Sequence, residues 1–298
     1  MLNLKMKKNY KIYDCFLFYN ELDMLELKLT EMYDVVDKFV LLESCETFQG
    51  SPKKYFYEEN KHRYARFSEK IIHIKLGPQK SFKRYFFKKC GKNWSREYYQ
   101  RDQLKLGLVD ARPNDLVIIS DVDEIISGKN FPKIISSFIR GDIAIFEMPL
   151  FQFSVNYEWI FSDRRLPQFR CLGPRMVEYK DFKGAQMLRK VKRIYPNWAK
   201  QFLLLRLFFR ILGRIKYGVF NHLQYFEDAG WHFTSMGDWK FFRNKVESFA
   251  HEDWKIGGQY LDESVFEYFT TAPETTRPYP IEKLPKFIQE NRNLFLFR

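Results

Sequence analysis

The run Leu116–Ile119 is wholly apolar and mostly β-branched, and it stops abruptly at Ser120-Asp121-Val122-Asp123-Glu124. An apolar stretch this long, with no polar alternation, reads as a strand covered on both faces. That demands helices on each side of a mostly parallel sheet. In open α/β sheets, ligands gather at the carboxyl ends of such strands. Two carboxylates at i and i+2 on that edge can hold a divalent cation and, through it, a diphosphate. The same two acids also suit a plain strand end that caps the next turn.

The pattern around this run is of one kind. Ile12–Tyr19 reads as a first strand, and Leu22, Leu25, Leu29 and Met32 recur at helical spacing over about Glu21–Tyr33. Lys38–Glu43 and Ile71–Leu76 read as further strands, and Trp94–Val109 as a helix weakened near its end by Gly107. Pro132 suits the first turn of a helix reaching about Arg140, and Ile143–Met148 closes the series as a strand. Strands alternating with helices predict an α/β, doubly wound, mostly parallel sheet. Beyond Pro149 the segments become short and aromatic. Asp238–Ala250 and Gln259–Phe269 read as helices, and Ala272–Pro285, with four prolines, as an extended strap.

Charge narrows the partners. Fifty Lys and Arg against 37 Asp and Glu leave +13, which suggests an anionic partner: nucleic acid, a phosphate-bearing substrate or an acidic membrane surface. A hydrophobic fraction of 45%, with 18% aromatic, excludes global disorder. Cys15, Cys45, Cys90 and Cys171 are far apart and form no Cys-x-x-Cys, which fits a reducing compartment. The basic N-terminus has no apolar segment behind it, and Ile12–Tyr19 is short and carries Asp14. A cytoplasmic setting is therefore expected. In Gln201–Phe220, Arg206, Arg210 and Arg214 form one stripe on an otherwise apolar helix. Such a helix suits peripheral contact with an anionic bilayer, or a core position with a solvated arginine edge; its arginines speak against a span.

Several clusters could carry chemistry. Asn20-Glu21-Leu22-Asp23 follows the first strand, and Glu43 ends the second. Both could hydrogen-bond a nucleoside, although Asn20 and the acids equally suit a helix start. Arg101 and Asp102 lie on the Trp94 helix, where Arg101 could meet a phosphate or belong to a solvated charged face. His232 sits in Gly230-Trp-His-Phe-Thr-Ser-Met-Gly237 and could supply an imidazole to a metal, or be a satisfied structural residue.

Taken together, Ile12–Glu43, Arg96–Ile125 and Gly230–Gly237 resemble glycosyltransferase family 17, whose namesake adds bisecting GlcNAc to N-glycans. The likeness runs with gaps from about residue 12 to 250, and Asn20 to Glu43 is its most specific part. The resemblance implies a GT-A (Rossmann-like) single domain over 1–298, with a nucleotide-sugar half at about 10–150 and an acceptor half at about 151–270. The basic helix 202–215 falls in the acceptor half, and 271–298 is a C-terminal strap. It further implies a UDP-sugar donor, UDP-GlcNAc first, and inversion at the anomeric carbon. Asp121 and Asp123 take the place of the family's Asp-x-Asp. Ser120 stands where eukaryotic members have the first acid of Asp-Asp-Ala-Asp-Glu, which leaves the metal to the later two. His232 matches the family's Trp-His. Eukaryotic members are Golgi-anchored, and an unanchored chain implies an oligosaccharide or glycolipid acceptor of a bacterial or viral surface glycan instead.

The expected mechanism places Mn²⁺ or Mg²⁺ on Asp121, Asp123 and His232, where it neutralises the departing UDP. Asn20, Glu21 and Glu43 hold the uridine side, Arg101 screens the diphosphate, and Asp102 and Asp121 also belong to the donor site. A carboxylate takes the acceptor's proton; Asp238, Glu252 and Asp253 are candidates, Asp238 first as the nearest to Gly-Trp-His. Two rivals remain: a HAD-like phosphatase, whose nucleophile motif is also Asp-x-Asp after a strand, and a basic nucleic-acid-binding protein. Against the first, the motif follows three strands rather than ending the first one. Against the second, the basic residues are scattered and no recognition signature appears, so no specific nucleic acid is expected.

Overall fold

The computed structural model describes residues 8–78, 92–160, 171–191, 222–237, 276–295 and 297, with short pieces at 204–205, 208, 211, 239–240, 243, 255–256, 259–260 and 263–264. Strand β1 (Ile12–Leu17) leads into helix α1 (Leu22–Met32) and then β2 (Lys38–Ser44). Helix α2 (Phe56–Asn60) and a 3-10 stretch return the chain to β3 (Ile71–Leu76). Helix α3 (Lys92–Asp102) precedes β4 (Leu116–Asp121), β5 (Glu124–Ile126), α4 (Phe131–Ser137) and β6 (Ile143–Met148). Next come β7 (Leu150–Gln152), β8 (Tyr157–Trp159), β9 (Cys171–Glu178) and α5 (Ala185–Lys190). The rest comprises β10 (Leu223–Phe226), β11 (Gly230–Thr234), β12 (Lys255–Ile256), β13 (Gln259–Tyr260), β14 (Thr276–Pro278) and α6 (Lys286–Glu290).

Seven strands form one sheet in the order β10-β6-β9-β4-β1-β2-β3. The pairs β4–β1, β1–β2, β2–β3 and β10–β6 are parallel, and only β9 runs against both of its neighbours. This is an α/β fold with a mixed, mostly parallel sheet, as the apolar runs require. Ile12, Phe16, Phe39, Leu41 and Ile118 pack on one face with Leu25, Leu29 and Met32 of α1. Tyr13, Cys15, Val40, Leu42, Val117 and Ile119 pack on the other with Leu104 and with Ala185 and Leu188 of α5. Both faces are thus covered, and the central strands β1, β2 and β4 carry no polar alternation for that reason.

A second sheet, β14-β8-β7-β11-β5, lies on the far side of α1. Met24 and Leu27 join Ile125, Trp231, Phe233 and Ile288 there. Helix α1 is therefore buried on two sides, where its leucine spacing predicts a single apolar stripe.

Other expectations change in detail. The helix predicted over Trp94–Val109 ends at Asp102 and tightens into a 3-10 turn at Gln103–Gly107, where a side chain on Gly107 would strike Val40. The helix after Pro132 stops at Ser137. Gln259–Tyr260 is not helical but pairs with Lys255–Ile256. The seven-stranded sheet takes β9 and β10 from beyond residue 150, while β5 joins the second sheet, so the two sheets do not divide the chain at that point. Within 202–215, only 204, 205, 208 and 211 are described; they are helical, and Leu204, Phe208 and Ile211 are exposed. Among the described residues no helix is long and apolar enough to cross a membrane. Cys15, Cys45 and Cys171 are free thiols; Cys90 lies outside the described residues.

Candidate active site

The parallel register sets Leu17 of β1 beside Asp121 of β4, which brings the turn after β1 and the acids after β4 to one edge of the sheet. Asp123 follows β4 and is buried, and its Oδ1 lies 3.5 Å from His232 Nε2. Two pairings make this possible. Strand β11 runs antiparallel to β5, with His232 opposite Glu124, and the Phe233 amide donates to the Asp123 carbonyl at 2.9 Å. Strand alternation then turns Trp231 and Phe233 into the core and His232 the other way.

His232 has a second partner, for Cys171 Sγ lies 3.2 Å from its Nδ1. Burial alone would lower the imidazole pKa, but Cys171 and Asp123 together raise it well above 6.5.

Asp121 is placed differently. Its Oδ2 accepts from Arg189 Nη2 at 2.7 Å, and its Oδ1 lies 3.4 Å from Arg101 Nη2. Burial would raise this carboxyl, yet Arg189 and Arg101 hold it below the usual carboxylate range. Arg189 also grips Glu124 with both terminal nitrogens, at 2.8 and 3.0 Å, and Glu124 Oε2 in turn accepts the Asp121 amide at 2.9 Å. Nearby, Arg175 is buried against the carbonyls of Leu172 and Val191; burial, then the Arg189 charge, push it down to about 10.

A cation expected on Asp121, Asp123 and His232 can be tested against these contacts. Two ligands about 2.1 Å from one ion stand roughly 3 Å apart, so Asp123 Oδ1 and His232 Nε2 fit as neighbours on an ion after a small adjustment. Asp121 does not fit as the third, because both its oxygens face guanidinium groups that would repel a dication. Among the described residues, no three His, Cys, Asp or Glu side chains converge as a metal site. Two protein donors with the rest from substrate phosphate is an ordinary arrangement for such ions.

The remaining predicted residues fall into four groups. Glu43 is fully buried and accepts the Tyr57 amide and His73 Nε2, each at 2.9 Å, so it holds α2 over the strand end. Glu21 turns back on the Asn20 amide at 3.1 Å and is buried at the same edge as Asp121. Arg101 reaches Gln186 Oε1 at 2.7 Å and Glu97 Oε1 at 2.6 Å, while Asp102 Oδ1 accepts the Gln186 amide at 2.9 Å. These last two therefore anchor the start of α5, the helix that delivers Arg189. Asp238, Glu252 and Asp253 lie outside the described residues.

Sequence reasoning passed over Arg189, Cys171 and Lys53. Lys53 places its Nζ 5.4 Å from the Tyr19 ring and 5.5 Å from the Phe56 ring, beside the turn after β1. Burial lowers its pKa despite the nearby Glu43 and Glu21. The motif Lys-Lys-Tyr-Phe around it gives no hint of this setting. Arg189 and Cys171 lie in the later half, far in sequence from the residues they contact, Asp121 and Glu124 for the first and His232 for the second.

Comparison with known proteins adds the following. Glycosyltransferase family 17 matches residues 3–160, just over half of the chain, a span that includes Asp121 and Asp123 but stops short of Arg189 and His232. No curated protein matches the chain. Among solved structures, 4-diphosphocytidyl-2C-methyl-D-erythritol synthase aligns at 12% identity over 78% of this chain and 91% of its own, with a TM-score of 0.41. The inositol-1-phosphate CTP transferase from T. maritima aligns at 12% identity over 82% and 99%, with a TM-score of 0.37.

Proposed function

The chain belongs to glycosyltransferase family 17; from that premise we propose that it is a metal-dependent, inverting enzyme that moves N-acetylglucosamine from UDP-GlcNAc onto a hydroxyl of a surface glycan. A nucleotide-sugar donor and a glycan acceptor follow from the family itself. The observation that carries the finer reading is the pair Asp123 and His232, facing each other 3.5 Å apart at the carboxyl end of β4. These two side chains would hold Mn²⁺ or Mg²⁺. The ion, when bound, neutralises charge on the departing diphosphate. Asp121, balanced by Arg189 and Arg101, keeps the edge of the site rigid and near neutral. Asn20 and Glu21 border the place for the nucleoside. The acceptor hydroxyl attacks the anomeric carbon from the face opposite the diphosphate and gives its proton to a carboxylate, for which Asp238, Glu252 and Asp253 remain the candidates.

The exposed Leu204, Phe208 and Ile211, in a segment whose sequence interleaves three arginines, support an acceptor presented at an anionic membrane surface.

A thermal-shift panel tests the donor and the metal. UDP-GlcNAc with Mn²⁺ is expected to raise Tm, by the equivalent of about 2.7 kcal/mol at a hundredfold excess over Kd. GDP-sugars, or UDP-GlcNAc without metal, are expected to give much smaller shifts. Asp123→Asn should remain folded and lose both the metal-dependent shift and turnover. Turnover near the wild-type rate in that variant would overturn the metal assignment.

A further inference from the structure

Lys28 lies among the leucines of α1, and its side chain has no exposure at all. Its Nζ donates to the Glu124 carbonyl at 2.8 Å and to the Asp121 carbonyl at 3.3 Å. It also faces Asp14 Oδ2 at 3.2 Å and lies 5.0 Å from the centre of the Phe16 ring. Asp14, on β1, is equally buried; its Oδ1 accepts the Ser120 hydroxyl at 2.7 Å, while its Oδ2 has no hydrogen bond and is balanced by the ammonium.

A buried ammonium is costly unless its donors are used. An apolar side chain of the same length would fill this gap between the two sheets without that cost, so what the charge adds is the bonds it makes. Two of those bonds reach the carbonyls on either side of Val122-Asp123. From the other side, Glu124 Oε2 accepts the Asp121 amide, and Arg189 fixes Glu124. The turn is held front and back, and Asp123 is its one acid turned toward His232.

We propose that Lys28 is a positioning residue for the metal-binding carboxylate: by bonding the carbonyls of Asp121 and Glu124 from beneath, it fixes Asp123 opposite His232. This rests on the reading that Asp123 holds the ion. It also accounts for Ser120: the hydroxyl bonds Asp14, whereas an acid there would repel it.

Lys28→Met alone strands the Asp14 charge in the core and can fail through unfolding. The decisive protein is the full chain carrying both Asp14→Asn and Lys28→Met, which removes the two charges together and keeps an acceptor for Ser120. Two measurements are made on it: amide hydrogen exchange over residues 121–125 without metal, and Mn²⁺ affinity by electron paramagnetic resonance. The double variant is expected to melt within a few degrees of wild type, to lose protection at 121–125 selectively, and to bind Mn²⁺ about tenfold more weakly, the usual scale for residues that orient metal ligands. Unchanged protection at 121–125 with unchanged Mn²⁺ affinity overturns the proposal. If the wild-type protein binds no Mn²⁺, the metal reading of the site falls, and exchange alone decides the clamp: lost protection sustains it, retained protection overturns it.

Discussion

His232 shows how two neighbours decide the behaviour of one ring. Cys171 and Asp123 raise its pKa above 6.5 against the effect of burial. A group whose folded pKa exceeds its unfolded value adds stability that is fully present below about pH 6.5 and disappears as pH rises through the folded pKa. Metal binding runs the other way, since an ion requires the neutral ring. Metal-free protein should therefore lose Tm as pH rises above about 6.5 and through the raised folded-state pKa, while its Mn²⁺ affinity climbs over the same window. His232→Gln should flatten both curves; a wild-type Tm that rises through this window would contradict the assignment. Asp123 and His232, which the structure sets 3.5 Å apart, could be singled out in the sequence because each sits in a local motif. Lys28 could not: its helical pattern marks the position as apolar, and the charge is matched there by Asp14 of β1 and by the carbonyls of Asp121 and Glu124. Asp121 was assigned to the metal from its spacing and from the family's Asp-x-Asp, and neither holds a record of Arg189, which comes 68 residues later.

Elements position the site as much as residues do. Strand β11 brings His232 to Asp123 only because it lies close against β5, with Gly230 opposite Ile126. A β-carbon on Gly230 would press into the Ile125 carbonyl and the Ile126 backbone. Gly230→Ala should cost about 1–3 kcal/mol in urea unfolding and weaken Mn²⁺ binding as well; a variant as stable as wild type would show that this close approach is not needed. The strands β1, β2, β4 and β6 were readable because burial on both faces writes itself as largely apolar runs, and the edge strand β3 from Ile71, Ile72, Ile74 and Leu76. Strands β5, β7, β8 and β14 were not, since three residues are too few for any period to show. Strand β9 hides for another reason: Gly173, Pro174 and Arg175 interrupt its apolar pattern, yet Arg175 is buried there by bonding main-chain carbonyls.

For the whole molecule, the proposed membrane contact rests on the charge of +13 and the exposed Leu204, Phe208 and Ile211. The protein should sediment with vesicles containing phosphatidylserine or phosphatidylglycerol, and release at about 0.5 M salt, where the screening length falls to a few ångströms. Equal binding to purely zwitterionic vesicles would remove charge from the explanation. The place of β9 has its own consequence during synthesis. It is the only strand between β4 and β6, and it is made after both. Until the ribosome has released Glu178, those two strands each present an open row of amides and carbonyls, a template for pairing with another chain. The last strand to enter the middle of the sheet thus closes the facing edges of β4 and β6, and β10, made later still, covers the other edge of β6.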